Sequence, residues 1–147
     1  MIKYSRKLGD RYDGYRVKNV DPFFYIIPQI MSERVDSQVY FGDEIDITLL
    51  EQFVRERANS DIPGLKLYHV IIAGIVRLLA LRPYFNRFVS ARKIYQRNYI
   101  SISMAIKRQG DSEETTTLKV QFDPKDTLED VARKFNREVE ENKKIID

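Results

Sequence analysis

The chain has 147 residues, 43% of them hydrophobic, which is enough for one domain with a sizeable core. It contains no cysteine and one histidine, which excludes a disulfide framework, thiolate metal sites and a cysteine nucleophile. A net charge of +3 is too balanced for a dedicated nucleic-acid binder. Because residues 2–7 turn polar at once, no signal peptide is expected, and we expect a cytoplasmic protein.

The first part of the chain predicts an extended arm followed by a helix. Residues 1–20 mix basic residues, tyrosines and turn-formers, so we expect an N-terminal arm that lies on the surface or on a partner. Asp21 and Pro22 are typical of a helix start, as N-cap and first helical residue. This helix is expected to continue to about Glu33, and Pro28 should kink or end its first part.

The next segment changes from helical to strand periodicity and back. Apolar and polar residues alternate over residues 36–47, which predicts a strand with a possible bulge at Gly42. Thr48 and Glu51 then have the spacing of a capping box, which predicts a helix to about Asn59.

Residues 65–82 are apolar around nearly the whole helical circumference, apart from a polar line of Lys66, His69 and Arg77. Such a helix is buried. It is not a membrane span, because about 20 apolar residues are needed and Arg77 lies within it. Part of its apolar surface is expected to meet another subunit, because the remaining elements cannot cover all of it.

The second half of the chain predicts two hairpins and a last helix. Residues 88–91 and 94–96 are expected to pair around Arg92 and Lys93, and residues 99–107 to pair with residues 115–122. The last helix is expected to start at Asp126 or Thr127 and to run to the end of the printed sequence. The pattern of helices and strands predicts an α+β fold.

Three sets of residues are candidates for chemistry. His69 is the only possible general base near neutral pH, but it lies in a helix of the buried type, so we favour a structural role. Basic and aromatic residues alternate over residues 82–97, which is typical either of anion binding or of a solvated hairpin edge, and we favour the edge. Asp43, Glu44 and Asp46 lie close together, yet nothing near them in the sequence completes a metal site, so none is expected.

Several phrases, in this order, resemble the catalytic domain of dihydrolipoyl acyltransferases, the acyltransferase subunits of 2-oxo acid dehydrogenases. They are IMSERVDSQVYFGDEIDITLLEQFV, LRPYFNRFV, RKIYQRNYISISMAIK and DTLEDVARKF. The first is also similar to chloramphenicol acetyltransferases, which share that fold. The resemblance runs from about residue 20 onward, so we divide the chain into an arm of residues 1–20 and a partial acyltransferase-like domain of residues 21–147.

The resemblance implies half of an α/β sandwich in which helices pack on a mixed sheet, as in chloramphenicol acetyltransferases. It also implies a trimer with active-site channels between subunits, and acyl-CoA as a cosubstrate that is not held covalently. In that family, the histidine of an H-x-x-x-D-G motif takes a proton from a thiol or hydroxyl acceptor, which then attacks the thioester. That motif belongs to the C-terminal half of the family's domain and does not occur in this sequence. His69, in the phrase HVIIAG, does not match it. No catalytic residue is therefore carried over.

Two functions remain open on these grounds. In the first, the chain is the N-terminal half of an acyl-CoA-dependent acyltransferase, inactive alone, with a homo-oligomer or a complementary C-terminal half as its partner. In the second, it is a non-enzymatic domain for oligomerisation or for binding CoA-like anions. Neither function involves a metal, a nucleic acid or a membrane. If phosphate groups bind, the candidate residues on charge alone are Arg87, Arg92, Lys93 and Arg97.

Overall fold

A computed structural model describes residues 5–31, 33–107 and 115–144 of the chain. The contacts group the chain into two compact units. The first unit comprises Met1–Ile45 and Arg82–Asn98, and the second comprises Asp46–Leu81 and Tyr99–Asp147. Both units combine helix and antiparallel strands, so the predicted α+β class is confirmed.

The first unit contains a three-stranded antiparallel sheet in the order β1-β3-β2. Strand β1 is Gly14–Arg16, β2 is Arg87–Ser90 and β3 is Lys93–Arg97. The predicted hairpin of β2 and β3 is confirmed, with Phe88 opposite Tyr95. The N-terminal arm was expected to be only extended, but its residues 14–16 pair with β3. A side chain at position 14 is excluded, because a Cβ there would lie 2.6 Å from the Gln96 carbonyl oxygen.

Helix α1, Pro22–Ile30, also belongs to the first unit and begins as predicted. The Asp21 carboxylate accepts a hydrogen bond of 2.9 Å from the Phe23 main-chain nitrogen, and Pro22 needs no such partner because it has no N–H. Pro28 lies inside the helix, which ends two residues later. The expected extension to Glu33 is therefore wrong, in keeping with proline's inability to continue the hydrogen-bond ladder.

The strand predicted over residues 36–47 is not formed. Val35–Ser37 make one turn of 3-10 helix, and residues 38–47 have no regular secondary structure. Val39 and Phe41, two apolar residues of this alternation, are 92% and 88% exposed. Alternation alone does not make a strand, because the main-chain groups need a neighbouring strand, and no described strand pairs with these residues.

The second unit is built from three helices and one hairpin. The helices are α2, Thr48–Asn59, α3, Leu67–Leu81, and α4, Leu128–Lys144. The hairpin joins β4, Ile100–Lys107, to β5, Thr115–Phe122, in the register that places Ile100 opposite Phe122. This confirms the predicted helices and hairpin. The predicted turn at residues 108–114 and the last three residues lie outside the described part of the chain.

The helix starts of the second unit confirm one predicted cap and correct another. Thr127 and Asp130 exchange hydrogen bonds at the start of α4, as a capping box requires. At α2, however, Thr48 is already helical. The N-cap position is Ile47, which has no capping side chain. Asp46, one residue earlier, partly replaces it, because its carboxylate accepts from the main-chain nitrogen and the hydroxyl of Thr48 at 2.9 Å and 2.6 Å.

The core of the second unit lies where α3 and α4 pack on the hairpin. Val76 of α3, Leu118 of β5 and Val131 of α4 are each no more than 1% exposed. Only one side of α3 takes part. The opposite side presents Ile71, Gly74, Ile75, Leu78 and Leu81 to solvent. We call these five residues the α3 stripe. The helix was expected to be buried almost all round, and the described residues cover about half of that circumference.

The sheets are simpler than the sequence predicts. Instead of one mixed sheet, the described strands form a three-stranded and a two-stranded antiparallel sheet.

Among the described helices, none is long and apolar enough to cross a membrane.

The one-sided packing of α3 predicts that two leucines of the second unit differ in their contribution to stability. Leu118→Ala leaves a cavity in the core and should lower the free energy of unfolding by about 2–5 kcal/mol. Leu78→Ala, on the α3 stripe and 46% exposed, should lower it by less than about 1 kcal/mol. Urea denaturation of both variants measures the difference. Equal losses would mean that the stripe is covered in solution.

Candidate functional site

A cavity of about 260 Å³ that is broadly open to solvent lies in the first unit, between β1, α1 and the turn that joins β2 to β3. Three of its lining side chains are cationic, namely those of Arg16, Arg92 and Lys93. None of the three makes an ion pair with a described residue. No carboxylate lines the cavity, which therefore concentrates positive charge.

The turn between β2 and β3 brings Arg92 to this cavity at the expense of backbone strain. The hairpin closes with Ser90 opposite Lys93, so Ala91 and Arg92 are the two turn residues. Their φ angles are 47° and 59°, in the left-handed region that such two-residue turns need. Asparagine and glycine are the usual residues there, since a Cβ is unfavourable in that region.

Arg16 comes to the cavity from the other end of the sequence. It is opposite Tyr95 in the β1–β3 pair, and its main-chain nitrogen donates to the Asp10 carboxylate at 2.8 Å. The next residue, Val17, continues the pairing by donating to the Ile94 carbonyl at 3.0 Å. Arg16 was not among the predicted candidates. The only signal for it was the strand-like alternation of residues 14–17.

The four predicted candidates do not converge. Arg92 and Lys93 meet at the turn, whereas Arg87 and Arg97 are at the opposite end of the hairpin, roughly 10 Å away at the usual rise per strand residue. Arg87 faces Gln96, to whose side-chain oxygen its Nε donates at 3.4 Å. The structure thus divides the predicted set into two pairs, and only one pair lines the cavity.

Arg97 is engaged in holding the N-terminal arm on the hairpin. Its guanidinium lies 3.4 Å from the Asp13 carboxylate, which also accepts 2.9 Å from Arg11 Nε. Burial favours a higher pKa for Asp13, but the hydrogen bonds from Arg11 and its own main chain, with the charges of Arg11 and Arg97, outweigh it and lower the pKa. A buried carboxylate needs such partners, so this arginine has a structural role.

Two stacked aromatic rings complete the same cluster. Phe88 and Tyr95 lie 5.5 Å apart at an interplanar angle of 22°. Arg97 lies 4.4 Å from the Phe88 ring centroid, and Arg11 lies 5.7 Å from it, which are distances typical of cation–π contact. The interleaved aromatic and basic residues that resembled an anion site therefore hold β1, β2 and β3 together at this end of the hairpin.

His69 is fully buried, with no exposed surface, and the structure places it beside Ile72 and Val76 rather than on a polar line with Arg77. Its Nδ1 accepts a 3.0 Å hydrogen bond from the Lys66 main-chain nitrogen, and its ring packs edge-on against Phe135. The Asn136 side chain approaches the ring, but without the geometry of a normal hydrogen bond to Nε2. A substrate cannot reach this imidazole without opening the core.

The acidic residues near α2 have no metal-binding arrangement. The Asp46 carboxylate accepts from the first N–H of α2, that of Thr48, and the Asp43 carboxylate accepts from the main chain of its neighbour Glu44 at 2.9 Å. Among the described residues, no group of three or more histidine or acidic side chains is placed to hold a metal ion.

The burial of His69 predicts a pH dependence of stability. Burial lowers its pKa, the Asn136 side chain opposes this in part, and Lys66 adds to the lowering. The unfolded chain therefore binds more protons near the ordinary value of 6.5, so the free energy of unfolding should decrease as the pH falls from about 7.5 to about 5.5.

His69→Asn retains an acceptor for the Lys66 N–H and has no titrating ring. Its free energy of unfolding should therefore vary less over this range, which urea titrations at several pH values would measure. Since the chain has one histidine, the wild-type slope has no other side chain with an ordinary pKa in this range. Aspartates with lowered pKa, such as Asp13, Asp46 and Asp130, lose their contribution only at lower pH. The same slope in both proteins would contradict the assignment.

Comparison with known proteins adds no relative. No family model, no curated protein and no solved structure matches this chain. The resemblance to acyltransferases therefore depends on the quoted phrases and their order alone.

Proposed function

We propose that this chain forms the N-terminal half of an acyl-CoA-dependent acyltransferase of the dihydrolipoyl acyltransferase type. The observation that carries the proposal is the α3 stripe, an apolar helix face that the described residues leave uncovered. In the proposed whole domain, α3 is a central helix, and the complementary half covers the stripe. The order of the phrases that resemble the family supports the same assignment, because each one overlaps a helix or strand of the expected type except over residues 36–47.

The stripe has the properties of a surface made for packing. Ile71, Ile75 and Leu78 are spaced by four and three residues, so they follow one another along one side of the helix. They are 53%, 42% and 46% exposed. Gly74 lies among them with no atom within 4 Å of a Cβ position, which allows another main chain to approach closely. Contiguous exposed apolar surface of this kind marks an interaction site.

The residues that are present determine which part of the proposed reaction this chain can provide. The chemistry requires a base that removes the proton of an acceptor thiol or hydroxyl, so that its oxygen or sulfur attacks the thioester carbonyl and CoA leaves as the thiol. His69 cannot act in this way, because it is buried in the core of the second unit. The complementary half would bring the histidine of H-x-x-x-D-G, and this chain would provide scaffold and part of the wall of the substrate channel.

This division predicts that the 147-residue chain has no acyltransferase activity alone. With acetyl-CoA and either dihydrolipoamide or chloramphenicol, thiol release from CoA should not exceed the uncatalysed rate. A thiol reagent follows the release of CoA when chloramphenicol is the acceptor. With dihydrolipoamide, which is itself a dithiol, free CoA is separated and quantified by chromatography, and an active acyltransferase is the positive control in both assays. Turnover clearly above the uncatalysed rate would show that a catalytic base is present within these residues.

The identity of the complementary half can be tested by reading the coding sequence beyond Asp147 and the neighbouring genes for H-x-x-x-D-G. Produced together with the residues that carry this motif, the chain should give an active acyltransferase. If no such motif is encoded there, the proposal is wrong.

In the active assembly, the α3 stripe should be required. Leu78→Asp places a charge where the proposal expects a buried leucine, so activity should fall by about tenfold or more. Gln52→Asp, which introduces the same side chain on the exposed face of α2, is the matched control and should leave activity unchanged. Thermal melting of each isolated variant shows that the fold is intact. Full activity of Leu78→Asp would remove the stripe from the interface.

A further inference from the structure

We propose that the cavity between β1, α1 and the β2–β3 turn binds the phosphate or diphosphate group of a small molecule. Arg16, Arg92 and Lys93 would be its cationic partners. This site does not depend on the acyltransferase proposal, since it lies wholly within the first unit and uses none of the residues of the α3 stripe.

The charge of the cavity is the first argument. Three cations line the cavity without a carboxylate, and all three residues are exposed, so the positive potential there is open to an anion from solvent. The nearby Asp10 carboxylate accepts from the main-chain nitrogens of Lys7 and Arg16 and is not part of the lining. The contrast with Arg97, which is paired with a buried aspartate, is informative. Arg97, which has a structural role, is paired with a carboxylate, whereas Arg16 and Arg92 make no ion pair with a described residue.

The backbone strain of the turn is the second argument. Ala91 and Arg92 both have positive φ, and neither residue type favours it. A turn selected for stability alone would have asparagine and glycine at these positions. Strain of this kind persists where a side chain is needed, and its presence is a reason to look for a function. Here the needed side chain is that of Arg92, which the turn aims at the cavity that Lys93 also lines.

The size and the other lining residues suggest the class of ligand. A volume of about 260 Å³ is the space of roughly nine water molecules, so the cavity admits more than a single small ion. Val17 and Ile94 provide aliphatic surface for an organic portion. The Tyr25 hydroxyl donates to the Lys18 carbonyl, whereas Gln29 makes no hydrogen bond to a described residue and is available to a ligand.

Phosphate fits this cavity better than a carboxylate does. A phosphomonoester or diphosphate carries two or more negative charges, and its oxygens suit the forked donors of arginine. A single carboxylate would leave the three cations only partly neutralised.

The test is titration of the whole chain with inorganic pyrophosphate at low ionic strength, by calorimetry and by NMR of the main-chain amides. We expect binding that weakens with added salt and amide shifts centred on residues 16 and 91–93. Arg92→Gln and Arg16→Gln should each weaken binding by about tenfold. Arg87→Gln, at the other end of the hairpin, changes the net charge equally and should leave binding unchanged.

Three results would overturn the site. These are the absence of pyrophosphate binding to the wild-type chain, amide shifts spread over the whole basic surface, and equal losses in Arg87→Gln and Arg92→Gln. The last two would mean that only the general positive charge of the chain attracts the anion.

Arg92→Gly separates function from folding. Glycine relieves the positive-φ strain, so this variant should melt at a temperature equal to or higher than that of the wild type, while its pyrophosphate binding falls like that of Arg92→Gln. A structural role for Arg92 predicts the opposite pattern, with stability lost and binding retained.

The source of the phosphate is determined with two further ligands. Coenzyme A contains a diphosphate and a phosphomonoester, and pantetheine is the same molecule without them. If CoA competes with pyrophosphate and pantetheine does not, the site serves the cosubstrate of the proposed acyltransferase. If pyrophosphate binds and CoA does not, the phosphate site stands, and its ligand is a different small phosphate compound. Both binding results are obtained independently of the acyltransferase turnover assays. If the phosphate site is absent, the acyltransferase proposal can still be tested, and the reverse also holds.

Discussion

The burial of one side of α3 is the interaction on which the second unit depends. His69, Ile72 and Val76 face the hairpin and α4, and the β5 and α4 residues they meet, Leu118 and Val131, are equally inaccessible. A helix has a surface on every side, however, and the two-stranded hairpin, α4 and a small contact with α2 together cover roughly half of it. The apolar composition of α3 therefore exceeds what this unit uses. The exposed half of the helix is a direct consequence of how few elements surround it.

The sequence predicted well those parts of the fold that are determined by residues close together in the chain. The hairpins and helices were found because alternation, helical periodicity and capping residues act between neighbours in the chain. The prediction of a strand over residues 36–47 was wrong, because a strand needs a second strand to pair with, and that strand would have to come from a distant part of the chain. At α2 the predicted cap was one residue late, because the N-cap is Ile47, which has no capping side chain, and the Asp46 carboxylate binds the first helical N–H from outside the helix.

The same reasoning from neighbouring residues predicted part of the candidate site. Arg92 and Lys93 are adjacent, so their convergence at a tight turn follows from the hairpin itself. Arg16 could not be added without knowing that β1 pairs with β3, which is a contact between distant parts of the chain. Conversely, Arg97 was among the predicted anion-binding residues because of its charge, and only the structure reveals that it is paired with Asp13. Charge density in a sequence does not distinguish a cation that compensates a buried carboxylate from one that has no partner.

This distinction bears on how the two proposals relate. The α3 stripe and the cationic cavity belong to separate compact units, and they have opposite chemistry, one apolar and convex, the other charged and concave. An apolar helix face is satisfied by another polypeptide, whereas a small cavity lined by unpaired cations is satisfied by a small anion. A non-enzymatic domain for oligomerisation or for binding CoA-like anions would use the same two surfaces, so these features alone do not separate it from the acyltransferase. We favour the acyltransferase because the phrases that resemble that family follow one another in the family's order, and that order has no bearing on oligomerisation or anion binding as such.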